Sequence, residues 1–281
     1  MSKEGSLYKV EQVNDHLFRI IGLTNEFAYL LIGGKQALLI DTCCGVGNIR
    51  EVVDSLTNLP YEVVLTHGHV DHAGGASLFM DKKLYLNKLD WKMAKTQMKR
   101  WMRDFYVTCS LKFANAQKKP ANLTYIQNKN PLFNELQEGQ EFDLGGLHVK
   151  AFHLRGHTPG IMTLLIEEDR LLLTGDACNP SVFLFLPGSS SVEQYRNNLK
   201  AYIPKVEGKF DKILLSHLPK ECSASFLVEM LVLCDELLAS KKNEDSFNMG
   251  PLKTKVAKKF SRTTGFTEPV GPNIFYRKLE N

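Results

Sequence analysis

The sequence has little that would staple it from within or attach it to a membrane. Its six cysteines, Cys43, Cys44, Cys109, Cys178, Cys222 and Cys234, form no C-x-x-C pair and no regular spacing. That excludes a disulfide framework and leaves free thiols in a reducing compartment as the expectation. No apolar run approaches the roughly 20 residues a membrane span needs. The opening Met1-Ser2-Lys3-Glu4-Gly5-Ser6 is polar and lacks the apolar core of a secretory leader. A cytoplasmic protein without a membrane partner is therefore expected. Tandem repeats and low-complexity segments are absent. Charge of one sign is scarce as well: the net charge is +4, too small by itself to indicate a nucleic-acid partner. What is present is ordinary for a globular chain, 43% apolar and 23% charged residues in a length of 281. That length makes one large domain or two small ones and can bury a sizeable core.

Against this background, residues 66–75 stand out: Thr66-His67-Gly68-His69-Val70-Asp71-His72-Ala73-Gly74-Gly75. Three of the eight histidines and an aspartate fall within six positions. Imidazole nitrogen and carboxylate oxygen are the donors that a cation such as zinc accepts. The stretch follows the apolar strand Glu62–Leu65. On an extended strand end His67 and His69 point the same way, because strand side chains alternate with a period of two. Asp71 and His72 come from the turn beyond and can face a second point. Read alone, the loop fits a structural or a catalytic metal.

Short strands are expected at Leu7–Val13, Leu17–Gly22, Ala28–Ile32 and Ala37–Asp41, an antiparallel meander punctuated by turn residues. A helix over Asn48–Leu56, with Asn48 as cap, precedes the strand at Glu62–Leu65. A helix starting within Ala73–Phe79 and a strand at Leu84–Leu86 follow. From Leu89 to Leu111, Trp91, Ala94, Met98, Trp101, Phe105 and Cys109 recur at helical spacing. Between 88 and 119 nine lysines and arginines stand against two acids, so the rest of the chain is net negative. The basic face is a solvated helix surface or a cap over the site that attracts an anionic substrate; the 88–111 helix also offers a surface for oligomer formation.

The second half repeats the theme. Strands at Gln140–Leu144 and Leu147–Leu154 lead to Gly156-His157-Thr158. Strands at Ile161–Ile166 and Arg170–Leu173 lead to Gly175-Asp176. A helix over Val192–Tyr202, capped by Ser191 and stopped by Pro204, precedes a strand at Lys212–Leu215 ending in Ser216-His217. A helix at Ser223–Leu238 and a polar tail with a strand at Asn273–Arg277 complete the chain. Two such halves facing each other would make two sheets with helices outside. Polar residues sit at four strand ends, where sheet proteins gather function, and that many converging donors suit two metals better than one.

Taken together, His67-x-His69-x-Asp71-His72, Gly156-His157-Thr158, Gly175-Asp176, Ser216-His217 and the earlier Ile40-Asp41-Thr42 resemble the ligand motifs of the metallo-β-lactamase-fold hydrolases, in that family's order. The resemblance covers about residues 15–217. It implies an α/β fold, an αββα sandwich of two mixed β-sheets flanked by helices, as a single domain over 1–281 with a helical cap inserted at 88–131 and residues 218–281 completing it. It further implies two zinc ions per chain, iron or manganese being the other metals such a donor set accepts. His67, His69 and His157 would bind the first, Asp71, His72 and His217 the second, and Asp176 would bridge them. Asp41 would orient a ligand imidazole through its other ring nitrogen. A bridging hydroxide would be the nucleophile and Asp71 the catalytic proton shuttle. The aspartate at 176 argues against lactamases with a thiolate there, and His69 in place of glutamate argues against a diiron site.

The bond that is cut is less legible, because one metal site serves many esters. The expected substrate is a small thioester, lactone or related carboxylic ester. The apolar run at Val182–Leu186 points to an acyl or aromatic pocket with Phe183, Phe185, Tyr195 and Cys178 as its walls, or to buried core. A phosphodiesterase or RNA-processing nuclease of the same fold is the alternative. The basic residues at 88–119 and Lys253–Arg262 favour it, while the lack of a glycine-rich arm and of interleaved aromatics opposes it. An idle metal- or partner-binding protein is the alternative of another class. His16, His148 and His153 are expected to be structural.

Overall fold

Along Phe27–Ile32, Phe27, Tyr29 and Leu31 pack into one apolar cluster while Ala28 and Leu30 pack into another. This is the period-two signature of a strand buried on both faces. It recurs along Ala37–Ile40 and Met162–Ile166, so each of two sheets has an inner and an outer core. The computed structural model that shows this describes residues 7–113, 120, 122–239, 245–249, 252–261 and 266–277.

In the first sheet, β1 (Lys9–Gln12), β2 (Leu17–Ile21), β3 (Phe27–Ile32) and β4 (Ala37–Ile40) form an antiparallel meander. After helix α1 (Ile49–Leu56), β5 (Tyr61–Val64) adds parallel to β4. The one-turn helix α2 (Val70–Ala73) leads on to β6 (Leu84–Leu86). Helices α3 (Trp91–Gln97) and α4 (Arg100–Phe113) precede β7 (Asn134–Glu135), and β6 and β7 extend the sheet in parallel. In the second sheet, β8 (Glu141–Asp143), β9 (His148–His153), β10 (Met162–Ile166) and β11 (Leu171–Leu173) are antiparallel. After β12 (Val182–Leu184) and α5 (Val192–Val206), β13 (Lys212–Leu214) joins parallel to β11 and β14 (Glu221–Ser223) closes the edge. Beyond α6 (Phe226–Ala239), β15 (Asp245–Met249), β16 (Leu252–Val256) and β17 (Ile274–Tyr276) pair with β12 in a third, four-stranded sheet.

The inner core lies between the two large sheets, with Phe27, Tyr29, Leu31 and Ile40 in one cluster with Val149, Ala151, Met162 and Leu164. Ile49 and Val53 of α1 and Phe79 cover the outer face of the first sheet. Leu199, Tyr202 and Val206 of α5 and Met230, Leu233 and Leu237 of α6 cover that of the second. The architecture is the expected αββα sandwich of two mixed sheets.

Five local expectations change. Residues 88–111 do not form one helix. A 3-10 turn at Lys88–Asp90 leads into α3, and a break at Met98–Lys99 separates α3 from α4. The apolar stripe therefore holds from Trp91 through Ala94 to Met98 and no further. Across the break the inward face becomes Arg103, Val107 and Leu111, leaving Trp101 59% and Phe105 58% exposed. Pro204 does not stop α5; it lies in the last turn, where its missing N–H forfeits a single backbone bond. Asn48 donates to Glu51 (2.8 Å) and caps nothing with its side chain. The helix expected within Ala73–Phe79 is a 3-10 helix at Ala76–Phe79, and the one-turn α2 precedes it inside the histidine loop. The run at 182–186 is partly a strand, paired with β17. The part of the basic stretch at 114–119, Arg262 and the side chains of Lys112 and Lys253 lie outside the described residues.

Glu11 ties β1 to the loop after β13. Its carboxylate accepts from Lys220 Nζ at 2.6 and 2.7 Å, from Lys9 and from Arg19. The Lys220 hydrogen bond, then that of Lys9, holds its pKa down from an ordinary 4.5 to about 2. A depressed folded-state pKa stabilises above the unfolded value and is lost as the pH falls through the folded one. Glu11→Gln should thus lower stability by about 1 kcal/mol at neutral pH. That difference should shrink between pH 4.5 and 2, as read by urea unfolding across the range; a pH-independent difference would assign the effect to packing.

Candidate metal centre

Parallel pairing brings the donor residues to one end of the sandwich. Leu173 of β11 and Leu214 of β13 are register partners. Asp176 and His217 each lie three residues beyond, so the two leave neighbouring strands side by side. In the first sheet Ile40 pairs with Val64, which sets Asp41 beside Thr66 and His67. Met162 N donates to Thr66 O (2.8 Å), holding the loop of His157 against the histidine loop.

The seven donors form two groups. His67, His69 and His157 make one; Asp71, His72, Asp176 and His217 make the other, and within each group one atom per residue lies within 4.8 Å of all the rest. His69 Nδ1 is 3.1 Å from His67 Nε2 and 2.8 Å from His157 Nε2. His157 Nδ1 faces the carbonyl of Phe183 at 2.9 Å, the place of a donor, which leaves Nε2 as the free lone pair. Burial first, and then the neighbouring imidazoles, lower the pKa of His67, and burial with His157 lowers that of His69 to about 3. Both are therefore neutral, the form that binds metal.

The second group has the opposite electrostatics. Burial opposes charge on His217, but Asp176 and Asp71 outweigh it and raise its pKa to about 10. His72 is raised in the same way by Asp41, Asp71 and Asp176. The same contacts pull both carboxylates down against the effect of burial. These imidazoles hold the positive charge that two buried carboxylates require, and a divalent cation would take over that role by displacing their protons.

The distances fit such an ion. His72 Nε2 lies 3.6 Å from Asp176 Oδ2 and 3.8 Å from Asp71 Oδ2, while His217 Nε2 lies 3.3 and 3.6 Å from Asp71 and Asp176. These are long for hydrogen bonds. Tetrahedral zinc with bonds of about 2.0–2.1 Å separates its donor atoms by roughly 3.3–3.4 Å. His72 Nε2 is moreover buried with no hydrogen-bond partner in the protein, an orphan that a cation would satisfy. Asp176 reaches both groups: its Oδ2 is 3.5 Å from His157 Nε2 and 3.6 Å from His72 Nε2.

Asp41 supports His72. It adopts a left-handed backbone conformation (φ +63°), accepts from Thr66 N and Oγ1, and faces His72 Nδ1 at 2.8 Å. That contact turns Nε2 toward the centre. Three contributors carried no signal in the sequence. Tyr106 of α4 donates to Asp71 Oδ2 (2.9 Å), Asn179 donates to Asp176 Oδ1 (3.1 Å), and Asp90 binds both histidine loops. Each is one polar residue within a helix or loop whose direction only packing decides.

Three of the four expected pocket walls lie elsewhere. Tyr195 and Cys178 are fully buried in the core beneath the second sheet, where Tyr195 Oη donates to Ala177 O. Phe185 is buried with Val256 and Phe275 against the third sheet. Their apolar character serves packing. Phe183 is half-buried, and its ring lies against Phe185 and Phe275. His16 pairs with Asp169, His148 with Glu168, and His153 with the carbonyl of Pro159.

Residues 21–210 match the family model of the metallo-beta-lactamase superfamily. The chain belongs to that superfamily. The matched range stops short of His217, which the pairing of β11 with β13 brings in. A metallo-beta-lactamase fold-containing protein of Sulfurisphaera tokodaii is 29% identical over 196 residues, 64% of this chain and 70% of its own. A lactamase-like protein of Pestalotiopsis fici is 25% identical over 60% of this chain, and an atrochrysone carboxyl ACP thioesterase of Aspergillus terreus is 25% identical over 60%. The chain spans about half the length of these two fungal relatives, 47% and 46%. Among solved structures, a metallo-beta-lactamase from Pontibacter korlensis superposes with a TM-score of 0.58 at 15% identity, over 81% of this chain and 99% of its own; that likeness speaks to the fold. Among the described residues no helix is long and apolar enough to cross a membrane.

Proposed function

We propose that the chain is a hydrolase that uses two divalent metal ions, zinc by donor preference, to cleave an ester-type bond, with a thioester as the favoured substrate. The observation that carries this reading is Asp176, whose carboxylate lies between an all-histidine group and a mixed one. His67, His69 and His157 would hold one ion, and Asp71, His72 and His217 the other. Ions bound there supply Lewis acidity toward a carbonyl oxygen and lower the pKa of water. The chain's own residues do the rest. Asp41 keeps the His72 ring turned inward, and Asn179 steadies Asp176. Asp71, with Tyr106 and His217 about its Oδ2, is the group placed to pass a proton to the leaving atom.

The thioester preference draws on relatives named as carrier-protein thioesterases. It also draws on α4, the helix that carries Tyr106, where Trp101 and Phe105 expose apolar side chains. Zinc-reconstituted protein assayed on a thioester, a lactone and a phosphodiester should turn over the thioester fastest. A chelator should abolish that turnover and zinc should restore it. Fewer than one metal per chain after reconstitution would sink the two-metal reading, and turnover of the phosphodiester alone would move the assignment to the nuclease-like alternative.

A further inference from the structure

Asp90 is fully buried at the start of the cap, one residue before α3. A carboxylate there would ordinarily cap the helix, yet this one makes no side-chain cap bond. Its oxygens turn instead to the two loops of the candidate centre. Oδ2 accepts from Gly68 N (3.1 Å), in the loop of His67 and His69, and from Thr158 Oγ1 (2.6 Å), beside His157. Oδ1 accepts from Gly160 N (2.8 Å). Burial raises its pKa, and these three donors oppose the rise. Both loops are shaped around it. A β-carbon on Gly160 would come within 2.9 Å of Oδ1, and one on Gly68 within 2.9 Å of the Asp90 carbonyl oxygen. The glycines of His67-Gly68-His69 and Pro159-Gly160 are thus explained by the approach of one aspartate.

We propose that Asp90 is a positioning residue that sets the separation of the two loops, and through it the geometry of the group formed by His67, His69 and His157. The inference rests on the metal-site reading above. No other side chain described here accepts from both loops: the tie crosses from the first sheet's loop to the second's and takes in all three ligands of one group, while none of its bonds reaches Asp71, His72 or His217. Asp90 therefore acts on one ion and not the other, and it links the docking of the cap to the quality of that site.

The test is metal affinity, read separately from turnover. Asp90→Asn keeps the volume but sets an N–H₂ group against a donor. It should weaken binding of the ion in the His67 group by about 10- to 100-fold, measured by chelator competition, and should alter the visible spectrum of cobalt in that site. The second ion should bind as in the wild type. Thr158→Val removes one of the three bonds and leaves Asp90 in place, so it should give a smaller loss of the same ion, and it tests the proposal even if Asp90→Asn fails to fold. Wild-type affinity and cobalt spectrum in folded Asp90→Asn, or in Thr158→Val should the first not fold, would overturn the positioning role, as would equal weakening of both ions. If the wild-type protein itself binds no metal through the His67 group, the reading beneath the proposal fails instead.

Discussion

Asp176→Ala is expected to lower kcat/KM by at least about a thousandfold, some 4 kcal/mol of transition-state stabilisation, while the fold survives. Asp176 lies within reach of both groups, so its removal takes away the carboxylate they share. It also leaves His72 and His217 with Asp71 as the remaining carboxylate between them. The backbone around it is held independently, by Ala177 N donating to Thr174 O and by Thr174 N donating to Leu214 O. In the metal-free protein the variant leaves the positive charge of His72 and His217 with one carboxylate fewer, so its melting temperature should fall even though it still folds. Turnover and metal stoichiometry measured on one preparation check this, and full activity in the variant would refute the bridging role.

Arg103→Ala should cost about 2–4 kcal/mol of stability. In the sequence Arg103 belongs to a run of basic residues that a solvated helix face would explain. In the structure it is 1% exposed, and its guanidinium donates to Gly45 O (3.1 Å) and Ile126 O (2.7 Å). It therefore clamps α4 onto the loop that precedes α1 and onto the segment around Ile126. Its Nε has no partner, and burial lowers its pKa. Truncation to alanine removes both charge-assisted bonds and the packing of the stem, while Ile126 O loses a donor. Arg103→Met keeps the stem and sheds a poorly paired charge, so it should cost clearly less. Urea midpoints of the two variants separate these contributions; equal losses would mean that the hydrogen bonds alone matter.

The candidate centre was partly legible because four of its donors are neighbours in the chain. Histidine and aspartate at positions 67, 69, 71 and 72 display their chemistry and their alternation within one loop. His157, Asp176 and His217 were each a single residue at a strand end, and only their resemblance to a family pattern joined them to the rest. Tyr106, Asn179 and Asp90 were not legible. A tyrosine inside a helix, an asparagine in a loop and an aspartate among lysines look the same whether they meet a metal ligand or water. Cys178 and Tyr195 show the reverse error. Nearness in sequence to Asp176 and an apolar neighbourhood suggested a pocket, but both side chains are buried in the core that α5, which carries Tyr195, and α6 form against the second sheet.

By itself the sequence determined the local choices: strands from period-two burial, as along Phe27–Ile32; the α5 start from the Ser191–Gln194 capping box; and the donor chemistry of residues 67–72. Those follow from forces that act over a few residues. The tertiary structure decided the rest: that β13 pairs with β11 and so sets His217 beside Asp176, that α4 turns Arg103 inward and Trp101 outward, and that Asp90 reaches two loops at once. These outcomes depend on which strands pair across long stretches of chain and on which helix face finds a complementary surface, and such contacts exist only once the sheets have closed on one another.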